Sequence, residues 1–204
     1  RTGRGADTID GGQGDDTLDG GAGNDTLSFG SDAAGVDVDL GAGTSKGTSA
    51  GSDQFTNFEN VRGGSGNDRL LGDAENNILT GEGGADELLG GGGDDTLRGN
   101  AGADTLDGGE GDDVLTGGAG NDIYIVSDGN DTINAGQGSD TLKVPSDYSI
   151  TGIVLNSGSG DLEISLTKNT DASTHLTTIT NSVSQPVTTL IQENEDGTET
   201  ELGL

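Results

Sequence analysis

Large apolar residues recur along most of this chain at an interval of nine. Ile9, Leu18 and Leu27 set the phase, and it resumes through Leu70, Leu79, Leu88, Leu97, Leu106, Leu115, Tyr124, Ile133 and Leu142. A helical stripe needs an apolar residue every three or four positions, so this is not a helix. The interval suits a short three-residue strand whose middle side chain points inward while its neighbours point out. Two nonapeptides then complete one coil of 18 residues, with a strand on each side and a thin core of stacked side chains. No repeat buries its apolar residue alone, and stacking creates the core. A core this narrow does not stabilise a fold unaided.

Two stretches leave the phase. Between Phe29 and Arg62, Val36, Val38 and Leu40 alternate as in a strand and a Gly-rich turn follows. Phe55, Phe58 and Val61 then come at helix-like spacing, which predicts an amphipathic hairpin-and-helix insert covering one roll end and starting the next. A disordered linker is the alternative, but linkers seldom carry spaced aromatics. After Lys143 the composition shifts to Thr, Ser, Val and Ile. The runs Tyr148 to Leu155, Asp161 to Thr167, Leu176 to Ile179 and Val187 to Ile191 read as antiparallel strands that cap the open coil end. The expected fold is therefore all-β: a parallel β-roll in two blocks with a hairpin/helix insert and a C-terminal antiparallel cap. The expected boundaries are 1–28 for the first block, 29–62 for the junction, 63–143 for the main block and 144–204 for the cap.

The polar positions keep the same phase. Steps such as GGQGDDTLD, GGSGNDRLL and GGGGDDTLR share the pattern G-G-x-G-x-D-x-U-x, with U the apolar residue at position 8. Glycine dominates positions 1, 2 and 4, where a tight turn visits positive φ and brings carbonyls inward. Position 6 holds Asp7, Asp16, Asp25, Asp68, Asp86, Asp95, Asp104, Asp113, Asp122, Asp131 and Asp140, with Asn77 the one substitute. A lone aspartate in a turn is usually a turn former that bonds its own backbone. Eleven in phase point to a cation.

Calcium takes six to eight oxygens from carboxylates and carbonyls, whereas magnesium demands tighter octahedral geometry and keeps its waters. Zinc and copper favour His or Cys, and the chain has one His and no Cys. Position 5, as in Asp15, Asn24, Asp94 and Asp112, is open between ligand and turn support. Turns 18 residues apart lie on one side, so Asp68, Asp86, Asp104, Asp122 and Asp140 form one row and Asn77, Asp95, Asp113 and Asp131 another. If neighbours in a row share an ion, a calcium-loaded roll holds about seven or eight ions, counting one between Asp7 and Asp25 and a weaker one at Asn77. Glu75, in place of the position-4 glycine, weakens that same turn.

Composition sharpens the picture. Only 27% of the 204 residues are hydrophobic, 41 are glycine, and formal net charge is −29. Such a chain buries too little apolar surface to offset backbone entropy, which is the profile of disorder. The preserved phase argues against permanent disorder, and the two readings merge if the chain is disordered until a cation neutralises it. Eight divalent ions would offset just over half of the −29. The acidic balance disfavours nucleic acid, and cations are the natural partners. With no cysteine there is neither a disulfide framework nor a thiolate site. No apolar run reaches membrane-spanning length, and no amino-terminal signal peptide is visible. The chain opens inside a repeat at Arg1, so a fragment of a longer protein is expected.

Residues 2–143 resemble the RTX family, the haemolysin-type calcium-binding repeats of Gram-negative secreted toxins, proteases, lipases and adhesins. The segment FENVRGGSGNDRLLGDAENNILTG, with VDVDLGAGT before it, is similar to block junctions of large RTX toxins such as the adenylate cyclase toxins. DIYIVSDGNDTINAGQGSDTLKV with GDLEISL resembles their terminal block and cap. The resemblance implies that the position-6 side chains bridge ions between turns and that turn carbonyls complete the shell. Those carbonyls would belong to Gly63, Ser65, Gly81, Gly83, Gly90, Gly92, Gly99, Ala101, Gly108, Glu110, Gly117 and Ala119. It further implies export through a type I secretion machinery, unfolded at low calcium, with folding outside a Gram-negative cell. Departures are Asn77, Glu75, and the missing first glycines at Val126 and Ala135.

Competing functions fare less well. One His, no Cys and no GxSxG or HExxH argue against catalysis in these residues, so any catalytic domain is expected elsewhere. The self-cleaving variety of RTX module needs an Asp-Pro bond, but Pro145 follows Val144 and Pro186 follows Gln185. A polysaccharide-binding, adhesin or surface-layer module on the same roll is the alternative, with host surface or glycan as partner. An ice-binding ladder of threonines is interrupted, since position 7 on one face reads Glu87, Thr105, Ile123, Thr141. His175 reads as a surface residue, and the acidic tail Glu193 to Glu201 as solvated. Leu202–Leu204 could alternatively end an export signal.

Overall fold

The structure is a computed structural model that describes residues 3–155, 162–169, 174–180, 189–194 and 196–202. Every regular element among them is a strand. In chain order these are β1 (Thr8–Ile9), β2 (Thr17–Asp19), β3 (Thr26–Ser28), β4 (Val36–Asp39), β5 (Thr44–Gly47), β6 (Gly51–Thr56) and β7 (Asn60–Arg62). The main repeat tract supplies β8 (Arg69–Leu71), β9 (Ile78–Gly83), β10 (Glu87–Gly92), β11 (Thr96–Ala101), β12 (Thr105–Glu110), β13 (Val114–Ala119), β14 (Ile123–Ile125), β15 (Thr132–Gln137) and β16 (Thr141–Val144). The remainder is β17 (Tyr148–Leu155), β18 (Leu162–Lys168), β19 (Thr174–Thr180), β20 (Thr189–Glu193) and β21 (Glu199–Leu202).

Strands alternate between two sheets, and repeats 18 residues apart pair in parallel. Leu88 aligns with Leu106, Leu97 with Leu115, and Tyr124 with Leu142. Position 8 is sealed: Leu70, Leu79, Leu88, Leu97, Leu106 and Leu142 are all 0% exposed, so a single file of side chains closes the space between the sheets. Strands in the regular tract span six residues, not three. β11 and β13 run from position 7 to position 3 of the next repeat, because positions 2 and 3 stay in register with the neighbouring coil, Asn100 beside Gly118 and Ala101 beside Ala119.

Glycine is needed at position 4 for a concrete reason. Gly102 and Gly120 have φ of +145, and a Cβ on either would run into the carbonyl of Gly84 or Gly102 in the coil before. Position 2 is more forgiving, accommodating Glu82 at φ 79 and Asn100 at φ 74.

The insert departs from expectation. Val36, Val38 and the Gly-rich turn do form the hairpin of β4 and β5, but no helix follows. Phe55 lies in β6, Val61 lies in β7, and Phe58 sits at the corner between them with its ring edge-on to Phe55 at 5.9 Å. The helix-like spacing arose because Phe55 and Val61 each fill an inward position-8 slot on opposite sheets, aligned with Leu18 and Leu27. The meander β4–β5–β6 widens one sheet, which runs β2-β6-β5-β4-β8, while the other passes directly from β3 through β7 to β9. Both repeat tracts therefore share the same two sheets.

The C-terminal segments combine two kinds of pairing. β17, β18 and β19 are antiparallel as expected. β19 also pairs in parallel with β15, placing Ile179 beside Ile133, and β20 pairs in parallel with β16, placing Leu190 beside Leu142. These strands continue the coil before they cap it. Part of the expected Asp161 to Thr167 and Val187 to Ile191 runs, the His175 side chain and residues 203–204 lie outside the described residues. The acidic tail forms β21, an exposed strand antiparallel to β20, and Lys143 Nζ stands 2.9 Å from Glu199 Oε1.

Candidate cation ladder

Each position-6 aspartate closes a six-residue turn and opens the next strand. The main-chain N–H of each donates to Oδ1 of its counterpart one coil on: Asp68 to Asp86 at 2.8 Å, Asp86 to Asp104 at 2.9 Å, Asp104 to Asp122 at 3.0 Å, and Asp122 to Asp140 at 2.9 Å. The other face repeats this from Asn77 to Asp95 at 2.7 Å, Asp95 to Asp113 at 2.8 Å and Asp113 to Asp131 at 3.2 Å. Asp7 N likewise meets Asp25 Oδ1 at 2.8 Å. One carboxylate oxygen is thus consumed by the stack.

The second oxygen is left over. Oδ2 of Asp16, Asp25, Asp86, Asp95, Asp104, Asp113 and Asp122 is buried with no hydrogen-bond partner. A buried charged oxygen without a partner is costly, and a row of them is an unfinished coordination shell. The residue at position 1 shows what the cradle accepts. A Cβ on Gly81, Gly90, Gly99, Gly108 or Gly117 would overlap that same Oδ2. The same point at Gly99 lies 2.7 Å from the Gly117 carbonyl oxygen, and at Gly63 it lies 2.8 Å from that of Gly81. A carboxylate from one coil and a carbonyl from the next therefore converge beside a glycine, which is the all-oxygen donor chemistry of calcium. Among the described residues no three His, Cys, Asp or Glu side chains group together, so an ion here draws on carbonyls as well as carboxylates.

The remaining carbonyls implied by the resemblance, those of Ser65, Gly83, Gly92, Ala101, Glu110 and Ala119, lie at position 3 on the same turns. Ala101 and Ala119 already accept the N–H groups of Gly84 at 3.0 Å and Gly102 at 2.8 Å, leaving each a second lone pair. Position 5 resolves as turn support. Its side-chain oxygen accepts the position-5 N–H of the next coil, as from Asp94 to Asn76 at 2.9 Å and from Asp112 to Asp94 at 3.0 Å.

Three turns depart from the rule. Asp68 Oδ2 accepts the Gly64 N–H at 2.8 Å. Asn77 Oδ1 accepts from Asp73 N at 2.8 Å, and its amide N–H donates to Glu59 O at 2.9 Å, so hydrogen bonds fill this turn. Where Val126 stands at position 1, Asp131 Oδ2 has the Ser127 hydroxyl at 3.4 Å.

Electrostatics follow the geometry. Burial pushes the carboxyls of Asp86, Asp95 and Asp131 up to about 7 and those of Asp113 and Asp122 up to about 6. Main-chain N–H donors pull the other way, and carboxylates in adjacent coils add repulsion. Asp68, Asp104 and Asp140 are also raised, chiefly by burial.

Three ladder positions escape the nine-residue count. Asp53 accepts the Asp16 N–H at 2.9 Å, Glu59 accepts the Asp25 N–H at 2.7 Å, and Thr177 occupies position 6 in the coil beyond Asp131 with its hydroxyl buried and unpartnered. Each begins a half-motif (DQF, ENV, TTI) that keeps the ladder residue and the apolar residue but lacks the glycine turn before it. That half-motif was the available signal.

The model of the RTX calcium-binding nonapeptide repeat matches this chain in four copies, over residues 1–33, 62–97, 89–124 and 125–142, more than half of its length. A search of curated proteins found no match. Among solved structures, the extracellular lipase LipA from Serratia marcescens is similar at 19% identity and a TM-score of 0.38, over 88% of this chain and 37% of the lipase.

Proposed function

We propose, because this chain belongs to the RTX calcium-binding nonapeptide repeat family, that it is a calcium-gated folding module of a secreted protein. The observation that carries this reading is the set of buried, unpartnered Oδ2 atoms on both faces of the roll, as at Asp86, Asp104 and Asp122 on one and Asp95 and Asp113 on the other. Without cations these carboxylates repel and resist burial, so the chain is unfolded; ions that bind only the folded roll contribute their binding energy to folding. Asp86, Asp95, Asp104, Asp113 and Asp122, with Asp7, Asp16, Asp25 and Asp140, supply carboxylate oxygens. Carbonyls such as those of Gly81, Gly90, Gly108 and Gly117 supply the remainder, for about seven or eight ions. In the cytosol, where calcium is scarce, the unfolded chain would be threadable through a type I export channel, and calcium outside a Gram-negative cell would then fold it. We assign the module no catalytic role.

Far-UV circular dichroism during a calcium titration, with magnesium as control, tests this. The expected result is a cooperative coil-to-β transition at roughly 0.1–1 mM calcium, the range of extracellular modules, and none with magnesium. A complete β spectrum in excess chelator above about pH 7, where the buried carboxyls are ionised, would overturn it and make the roll a constitutive scaffold, with glycan or protein as the ligand to seek.

A further inference from the structure

We infer that the insert carries a cation site of its own, formed where the turn Gly20–Asp25, within the first segment that matches the repeat model, stacks on the turn Asn57–Glu59, which lies outside every matched segment. The inference rests on the calcium reading of the ladder and adds a site that the nine-residue spacing does not contain. Gly20 stands at position 1 and Asp25 at position 6 of a regular repeat. The coil above is not regular. Its turn between β6 and β7 is shortened from six residues to three, with Asn57 aligned above Gly20 and Glu59 above Asp25.

The essential geometry of a ladder turn nevertheless survives. Asp25 is 0% exposed and its Oδ2 has no partner. Glu59 Oε2 takes the Asp25 N–H at 2.7 Å, the job that Oδ1 does elsewhere, leaving the other Glu59 oxygen for a second partner. A Cβ on Gly20 would overlap the Asn57 carbonyl oxygen and lie 3.0 Å from Asp25 Cβ, so a carbonyl of the next coil stands at Gly20 as it does at Gly63 and Gly99, with the Asp25 side chain beside it. Asn57 adopts φ 59 to turn that carbonyl in, a conformation asparagine tolerates. Glutamate suits this place because its extra methylene restores reach that the shortened turn gives up.

On the opposite face of the same coil both oxygens of the insert's own carboxylate are occupied. Asp53 also takes a ladder N–H, from Asp16, but its second oxygen accepts the Ser45 hydroxyl at 2.9 Å. At Gly11 the three atoms nearest a Cβ belong to Asp16 and Leu18, at 3.1 to 3.4 Å, where at Gly20 a carbonyl oxygen of the next coil comes first. The insert thus adds an ion on one face and a hydrogen bond on the other.

Native mass spectrometry with equilibrium dialysis against calcium, on the full chain, counts bound ions directly. Glu59→Gln and, separately, Gly20→Ala are expected to bind one ion fewer per chain than the parent, and Asp53→Asn the same number. Circular dichroism confirms that each variant keeps the loaded β spectrum. An unchanged ion count in Glu59→Gln, or loss of the ion in Asp53→Asn alone, overturns the junction site. Failure of the parent chain to bind calcium at all would instead overturn the calcium reading. If Gly20→Ala does not fold, the nearly isosteric Glu59→Gln decides.

Discussion

At the scale of single residues, the molecule rests on a division of labour between two oxygens of one carboxylate. Oδ1 belongs to the stack and, on the proposed function, Oδ2 to the ion, so Asp104→Asn keeps an acceptor for Asp86 N while removing the charge. We expect it to raise the midpoint of the calcium transition roughly tenfold, equivalent to about 1.4 kcal/mol, as read by dichroism. Glycines that look alike in the repeat are not alike in space. Gly99→Ala would thrust a methyl onto Asp104 Oδ2 and the Gly117 carbonyl, whereas at Gly83 the nearest atoms are 3.9 Å away. Gly99→Ala is expected to destabilise the calcium-loaded chain by about 1–3 kcal/mol. Gly83→Ala is expected to be neutral or to stabilise it by up to about 1 kcal/mol, and thermal denaturation in saturating calcium separates the two. The position-6 aspartates were legible from phase and chemistry alone. That Oδ2 of Asp68 and Asp131 has local partners was not, because Gly64 N and the Ser127 hydroxyl are brought to them only by the shape of each turn.

At the scale of elements, each short strand is held by its neighbours in the stack and by one inward side chain. Leu106 touches counterparts from adjacent coils and is 0% exposed, so Leu106→Ala leaves a void that a one-residue-wide core cannot close. A loss of about 2–5 kcal/mol in urea unfolding of the loaded form is expected. The cap is fastened by a cluster outside the ladder: Asp128 receives Lys168 Nζ and the Tyr148 hydroxyl, each at 2.5 Å. Its side chains are partly exposed, so Lys168→Met is expected to cost only about 1 kcal/mol, seen as earlier proteolysis of the C-terminal strands. The strands of the insert show where element prediction from spacing fails. Phe55, Phe58 and Val61 carry a helical interval, yet two inward slots on facing sheets joined by a corner give the same numbers.

At the scale of the whole molecule, a net charge of −29 and the burial of carboxylates both oppose folding, and the proposed ions would offset both. Burial pushes the carboxyls of Asp86, Asp95, Asp113, Asp122 and Asp131 up to about 6 to 7 in the folded chain, against 3.8 for an ordinary aspartate. The ion-free folded state therefore holds more protons than the unfolded one between these values, and its stability falls as pH rises across that window. In chelator, β structure is expected near pH 4 to 5 and should be lost as pH passes through about 6 to 7. In calcium the order reverses, because protons compete for the same oxygens, and the dichroism midpoint should move to higher calcium as pH drops from 8 to 6.

The sequence by itself determined the all-β class, the 18-residue coil, the identity of the inward residues and the chemistry of the ligand, because all of these follow from a repeat in which every copy meets the same neighbours. The tertiary structure alone decided what happens where the repeat breaks. There, parallel partners stand at offsets other than 18, such as 34 for Asn60 beside Thr26, 37 for Gln54 beside Thr17 and 46 for Thr178 beside Thr132. No local spacing encodes such offsets. They are set by which sheet edge stands open when the chain returns to it, and that is a property of the folded stack.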